Sequence, residues 1–190
     1  MARPFAFLMA LVVLNYWSTC CLGCDLRQTY THMKNKILNP LDELKRPSLV
    51  SCLKDRKDFA FPLKKVDAQH IQKAQAISFL QGLAQQVLTL LVPMDSSHVW
   101  EKKVLETFLS DLNDQLKLLT TCQGMGDSQV TVNDYFHRIT VYLKEKKYSP
   151  CAWEVVRAEI WRALTFLNNL LPIFAEKKEA LTKMERTLLS

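Results

Sequence analysis

Apolar side chains in this chain recur at steps of three and four residues in one segment after another, and no sustained alternation of period two appears. That pattern points away from sheets and toward helices packed through apolar stripes. One clear stripe lies toward the C-terminus, where Trp153, Val156, Ile160, Leu164, Leu167 and Leu171 fall on one side of a helix. Trp161 stands about 100° round from Ile160, flanked by Arg157 and Arg162. A helix with a complete core stripe has no structural need of a large ring among arginines on its other flank.

The apolar periodicity predicts five helices. The first covers 30–45 with Met33, Ile37, Leu41 and Leu44 inward, and Pro40 either kinks it or begins a new helix capped by Asn39. From Arg46 to Val66 the periodicity is lost over about twenty residues, long enough to be a functional loop or a misread element. Asp67 is a cap for the second helix, whose face is Ile71, Ala74, Ile77, Leu80, Leu83, Val87, Leu90 and Leu91, with Pro93 as its stop. Asp95, Ser96 and Ser97 offer caps for a third, marked by Val104, Phe108, Leu112, Leu116 and Leu119 and closed by Cys122 to Gly124. The fourth runs over 132–147 with Tyr135, Ile139, Tyr142 and Leu143 inward. Ser149 caps the fifth with Pro150 in first position, where its missing N–H costs nothing, and Pro172 kinks or ends it near Leu171. Short links make the second and third helices, and the fourth and fifth, antiparallel neighbours. The long first crossover loop permits the first two to run parallel, so the expected fold is an all-α, five-helix bundle of the up-up-down-down kind used by secreted signalling proteins.

The start of the chain lies outside this pattern. Arg3 precedes an almost wholly apolar run from Ala6 to Trp17, and Ser18 to Gly23 is small or apolar just before Cys24. This is the layout of a secretory signal at 1–23, leaving a helical domain at 24–190. The run is too short to span a bilayer comfortably, so no stable membrane insertion is expected, and the long apolar rows are needed first for the bundle core rather than for lipid. Cleavage takes the formal charge from +6 to about +5, and segments such as Lys144 to Lys147 read as solvated helix faces rather than a nucleic-acid surface. Cys20 and Cys21 leave with the signal. Cys24, Cys52, Cys122 and Cys151 remain, an even number that implies two disulfides in an oxidising compartment, with three pairings open. No CxxC lies among these four, which argues against a redox or zinc centre, and the chain has no Asn-x-Ser/Thr sequon.

Nothing in the sequence supplies a catalytic constellation. His32, His70, His98 and His137 sit in no metal-ligand spacing, and no GxSxG, P-loop or GxGxxG occurs. No enzyme activity, cofactor or metal is expected.

The segment SPCAWEVVRAEI at Ser149 to Ile160 resembles the signature of type I interferons. The longer ITVYLKEKKYSPCAWEVVRAEI from Ile139, SCLKDRKDFAFP at Ser51 to Pro62, CDLRQT at Cys24, QKAQ at Gln72 and DSSHVW at Asp95 are similar to the alpha, omega, tau and delta-like branch. The resemblance implies a secreted cytokine, expected as a monomer, that bridges a two-chain receptor to induce antiviral, antiproliferative and immunomodulatory signalling. It also implies disulfides Cys24 with Cys122 and Cys52 with Cys151. The higher-affinity receptor chain is expected on Leu53, Arg56, Arg157, Ala158, Trp161, Arg162 and Thr165. The second chain is expected on Gln85, Leu88, Thr89, Val104, Leu109 and Asn113. Departures from the family pattern are Trp161 in place of a frequent methionine, Gln81 and Gly82, Asn133, Pro40 and a short link after Cys122. They leave a receptor-binding decoy or weak agonist as one alternative, and a secreted helical membrane- or lipid-binding protein is the other.

Overall fold

Pro40 sits inside an apolar row, and the chain accommodates it by widening one helical turn. In the computed structural model, α1 (Leu26–His32) passes into a π-helical turn at Met33–Leu38 and then into α2 (Asn39–Glu43), with the proline in the first turn of α2. The Asn39 N–H donates to the Lys34 carbonyl, a five-residue step, and the Leu44 N–H returns to the ordinary four-residue step at the Pro40 carbonyl, 3.2 Å away. Pro40 has no N–H for the carbonyl four residues back, and the π turn removes that demand without breaking the rod. Met33, Ile37, Leu41 and Leu44 consequently all remain buried in phase.

The structure describes residues 26–44, 50–65, 71–92, 99–120 and 128–188, without the side chains of 64–65, 128–131 and 177–188. The signal segment and Cys24 lie outside the described residues, as do Asp67, His70, Pro93, Asp95, Ser96, Ser97, His98, Cys122, Gly124 and Gly126. After the first rod come 3₁₀ turns at Leu53–Asp55 and Pro62–Lys65, then α3 (Lys73–Leu91), α4 (Lys102–Thr120), α5 (Ser128–Glu145) and α6 (Pro150–Leu188). With α1, the π turn and α2 counted as one rod, this is the expected all-α, five-helix cytokine-type bundle, and no strand occurs among the described residues. None of the described helices is long and apolar enough to cross a membrane.

Gln81, midway along α3, reaches the Leu119 carbonyl at the end of α4, while Val92 just past the end of α3 shares a groove with Leu109 further back on α4, so these two helices run antiparallel. The α5–α6 link closes as a Schellman motif. The Tyr148 N–H bonds the Leu143 carbonyl and the Lys147 N–H bonds that of Lys144, with Lys147 at φ 51° in the left-handed region where glycine is usual. Ser149 then caps α6 through its Oγ, which accepts from the Ala152 N–H at 3.3 Å, and Pro150 begins the helix.

Three expectations change. Helix α3 begins at Lys73 after an extended Gln72 with no side-chain cap bond, and Ala74 is exposed while Ala76 and Phe79 face inward. Pro172 lies within α6, which continues to Leu188; Phe174 is buried and Ile173 packs on the core, so apolar anchors beyond the proline offset the lost backbone bond. The loop without periodicity is also not loose. Phe59, Phe61 and Leu63 are buried, and Phe61 meets Phe79, Tyr135 and Phe166 edge-on at 5.6 to 5.7 Å. Trp100, which no helical row marked, is buried against Trp153 at 5.3 Å between ring centroids.

Candidate functional site

The loop at 50–61 is fixed to the last two helices by covalent, polar and aromatic ties. Cys52 is bonded to Cys151, 99 residues away, at the start of α6. The other expected disulfide, Cys24 with Cys122, lies outside the described residues. The Tyr142 hydroxyl donates to the Asp55 carbonyl at 2.7 Å, and Lys146 pairs with the Asp55 carboxylate at 2.9 Å. Arg138 donates to the Phe59 carbonyl at 3.0 Å and to that of Ala60 at 3.3 Å. Phe59 packs edge-on against the Tyr142 ring at 5.2 Å. Burial, and then the Asp55 charge, push the Tyr142 phenol up to about 12. Closing a loop of about a hundred residues adds roughly 4 to 5 kcal/mol in the chain-entropy model.

These ties set the loop beside α6 and leave a groove of about 300 Å³ between them. Leu53, Arg56 and Lys57 line one wall and Val155, Ala158, Glu159 and Arg162 the other, with Cys52 at the base. Four of the residues expected for the higher-affinity receptor chain, Leu53, Arg56, Ala158 and Arg162, are thus brought together. Leu53 is 58% exposed and Trp161, next to Arg162 on α6, is 37% exposed. Thr165, one turn further on, is half-buried.

Arg157 departs from its expected place. It is 2% exposed, its guanidinium chelates the fully buried Glu154 at 2.8 and 3.0 Å, and its third arm donates to the Leu41 carbonyl at 3.1 Å. Its donors are spent inside the bundle, so it offers no docking surface, and it forms no cation–π pair with Trp161. The sequence did hold a signal for this. Arg157 lies four residues after Trp153 and three before Ile160, in phase with the core stripe, and Glu154 stands three residues earlier as a partner.

Arg162 is held differently. Its Nε and Nη2 donate to Glu159 at 3.1 and 2.6 Å, and its guanidinium carbon lies 5.7 Å from the Phe61 ring centroid. The Glu159 carboxylate also accepts from the Tyr135 hydroxyl at 2.7 Å. Burial, followed by the Glu159 charge, drives the Tyr135 phenol far above its usual range, and the Glu159 hydrogen bond raises the Arg162 guanidinium. The groove therefore has an apolar floor with a cationic rim. Such a surface suits a protein partner with an apolar side chain and a carboxylate, since aromatic and arginine groups dominate protein docking energies.

A second groove, of about 510 Å³, lies between α3 and α4. Gln85, Leu88, Thr89, Leu109 and Asn113, five of the six residues expected for the second receptor chain, line it together with Val92, Ser110 and Leu116. Val104 is not among them and packs half-buried against the core. Val92, which lies in none of the apolar stripes read from the sequence, is 64% exposed there. Gln81 is turned to the Leu119 carbonyl, and Asn133 accepts from Gln86 at 2.8 Å.

A family model described as the interferon alpha/beta domain matches residues 26–174. The chain is similar to human interferon alpha-4, with 50% identity over 181 residues that cover 90% of this chain and 96% of the relative. It is similar to human interferon alpha-17 at 48% over 188 residues, 93% of this chain and the whole of the relative. Human interferon alpha-14 is 48% identical over 181 residues, 90% of this chain and 96% of the relative.

Proposed function

Since this chain belongs to the type I interferon family, and is a cytokine rather than an enzyme, we propose that it acts by bridging the two chains of a cell-surface interferon alpha/beta receptor. The signal at 1–23 is removed on secretion and the domain at 24–190 works as a monomer. The groove between the loop and α6 takes the higher-affinity chain, and the groove between α3 and α4 takes the second. Bringing the chains together starts antiviral, antiproliferative and immunomodulatory signalling.

One observation carries this reading. Residues far apart in the sequence collect into two grooves that share no residue, and each groove gathers most of one expected receptor set. A bridging protein needs two independent docking surfaces. A protein with one partner needs only the first.

The test uses the purified domain 24–190 on immobilised ectodomains of each receptor chain, alone and mixed, with an antiviral reporter in cells. Binding to one chain alone, slower release when both are present, and reporter induction are expected. No binding to either chain would overturn the proposal. A weak-agonist reading has its own support, because the half-buried Gln81 side chain is turned to the Leu119 carbonyl and the exposed Asn133 side chain is tied to Gln86. Tight binding to the first chain with no induction would favour it.

A further inference from the structure

We propose that Tyr135 is a positioning residue for the loop–α6 groove, acting through Glu159 to hold the Arg162 guanidinium in its docking orientation; this rests on the receptor-docking reading above. Tyr135 is fully buried on α5 and has ring neighbours on two sides, Phe61 at 5.6 Å and Phe136 at 5.5 Å. A phenylalanine would satisfy that packing. The hydroxyl is the part that packing does not explain, and it goes to a single acceptor, Glu159 Oε1, at 2.7 Å.

That same oxygen accepts from Arg162 Nη2 at 2.6 Å, and the other carboxylate oxygen accepts from Nε at 3.1 Å. The carboxylate is thus clamped between a buried phenol and a guanidinium whose side chain is 39% exposed. The chelate uses Nε and Nη2 and leaves the Nη1 edge without a hydrogen bond among the described residues. With the Phe61 ring beside it, the guanidinium is fixed in two directions and open in a third. An unclamped surface arginine loses much rotamer freedom when it docks. One already held loses less, so the clamp favours binding without any contact between Tyr135 and the partner. The phenol stays protonated throughout the physiological range, because burial and the adjacent carboxylate both oppose its ionisation.

A double-mutant cycle tests this, with affinity for the immobilised ectodomain of the higher-affinity chain and thermal melting measured on each variant. Tyr135→Phe should weaken binding roughly three- to tenfold in the parent chain and leave it unchanged in an Arg162→Ala background. Rescue is not expected from any gain in melting temperature, so a loss that persists equally in both backgrounds would mean a merely structural hydroxyl and overturn the role. No loss at all in the parent chain would overturn it too. If Tyr135→Phe does not fold, Glu159→Gln carries the same cycle, since it keeps an acceptor for the phenol but weakens the chelate. Should Arg56→Ala and Arg162→Ala both bind as the parent does, the docking reading itself fails. If they bind weakly while Tyr135→Phe is silent, only the positioning role fails.

Discussion

Glu154–Arg157 and Glu159–Arg162 are the same motif on the same helix, a glutamate with an arginine three residues on, yet one pair serves the interior and the other the surface. Both guanidiniums make two bonds to their carboxylate, at 2.8 and 3.0 Å in the first pair and 2.6 and 3.1 Å in the second. The difference lies beyond the chelate. Arg157 points its remaining arm at the Leu41 carbonyl at the end of the first rod, with Asp42 at 3.8 Å, and so ties α6 to α2. Arg162 meets the face of Phe61 and then open groove. An arginine is available for docking when one edge has no partner, and spacing along a helix does not reveal which edge that is.

The sharpest way to break this contrast is to remove Arg157. Arg157→Ala strands the fully buried Glu154 carboxylate, and a loss of about 3 to 5 kcal/mol in unfolding free energy by urea denaturation is expected. The folded fraction should still bind receptor with parent affinity. A loss below about 1 kcal/mol, as for an exposed pair, would mean that the pair is not truly interior. Arg56→Ala comes next in size and opposite in kind. It should weaken receptor binding by about 2 kcal/mol while stability stays within about 0.5 kcal/mol, and an unchanged affinity in surface-binding measurements would remove Arg56 from the site.

How far the sequence reached depends on the same distinction. Stripes such as Tyr135, Ile139, Tyr142 and Leu143 were legible because burial in a helix has a period, and Ser149 with Pro150 was legible because capping is local. Resemblance brought Leu53, Arg56, Ala158 and Arg162 to one surface, which periodicity alone does not do. The core role of Phe59, Phe61 and Trp100 was hidden because these residues lie outside regular helices and are buried by tertiary contact. The inward placement of Arg157 is hidden in the sequence because a charge in the core phase reads equally as part of the flank beside Trp161. Its rescue depends on the Leu41 carbonyl, 116 residues away.

Alkaline titration sharpens the contrast further, because the outer pair has a phenol attached and the inner pair has none. Tyr135 and Tyr142 are both raised above their ordinary value of 10.0, the latter to about 12. The native state then keeps protons that the unfolded chain releases, so stability is intact below about pH 10 and falls as pH rises through the window above it. For the deeply buried Tyr135 the loss is about 1.4 kcal/mol one pH unit above that point. Tyr135→Phe should be flatter between pH 9 and 11 by about that amount, read from denaturation midpoints. An equally steep decline in the variant would show that the phenol is not kept protonated by its burial and the Glu159 contact.

Salt gives the smallest and most discriminating effect. Between about 0.1 and 1 M salt the screening length falls from roughly 10 Å to 3 Å, which reaches charges in contact with water and not those enclosed by apolar neighbours. Arg162 has a side chain 39% exposed, so the stability cost of Arg162→Ala, below about 1 kcal/mol at low salt, should shrink by a few tenths as salt rises. Arg157 is 2% exposed and its partner fully enclosed, so the cost of Arg157→Ala should be the same at both concentrations. Chemical denaturation in urea, which adds no ions of its own, separates the two cases. If the cost of losing Arg157 also declined with salt, ions and water would have access to that pair, and the two Glu–Arg motifs would differ in degree of exposure rather than in the work they do.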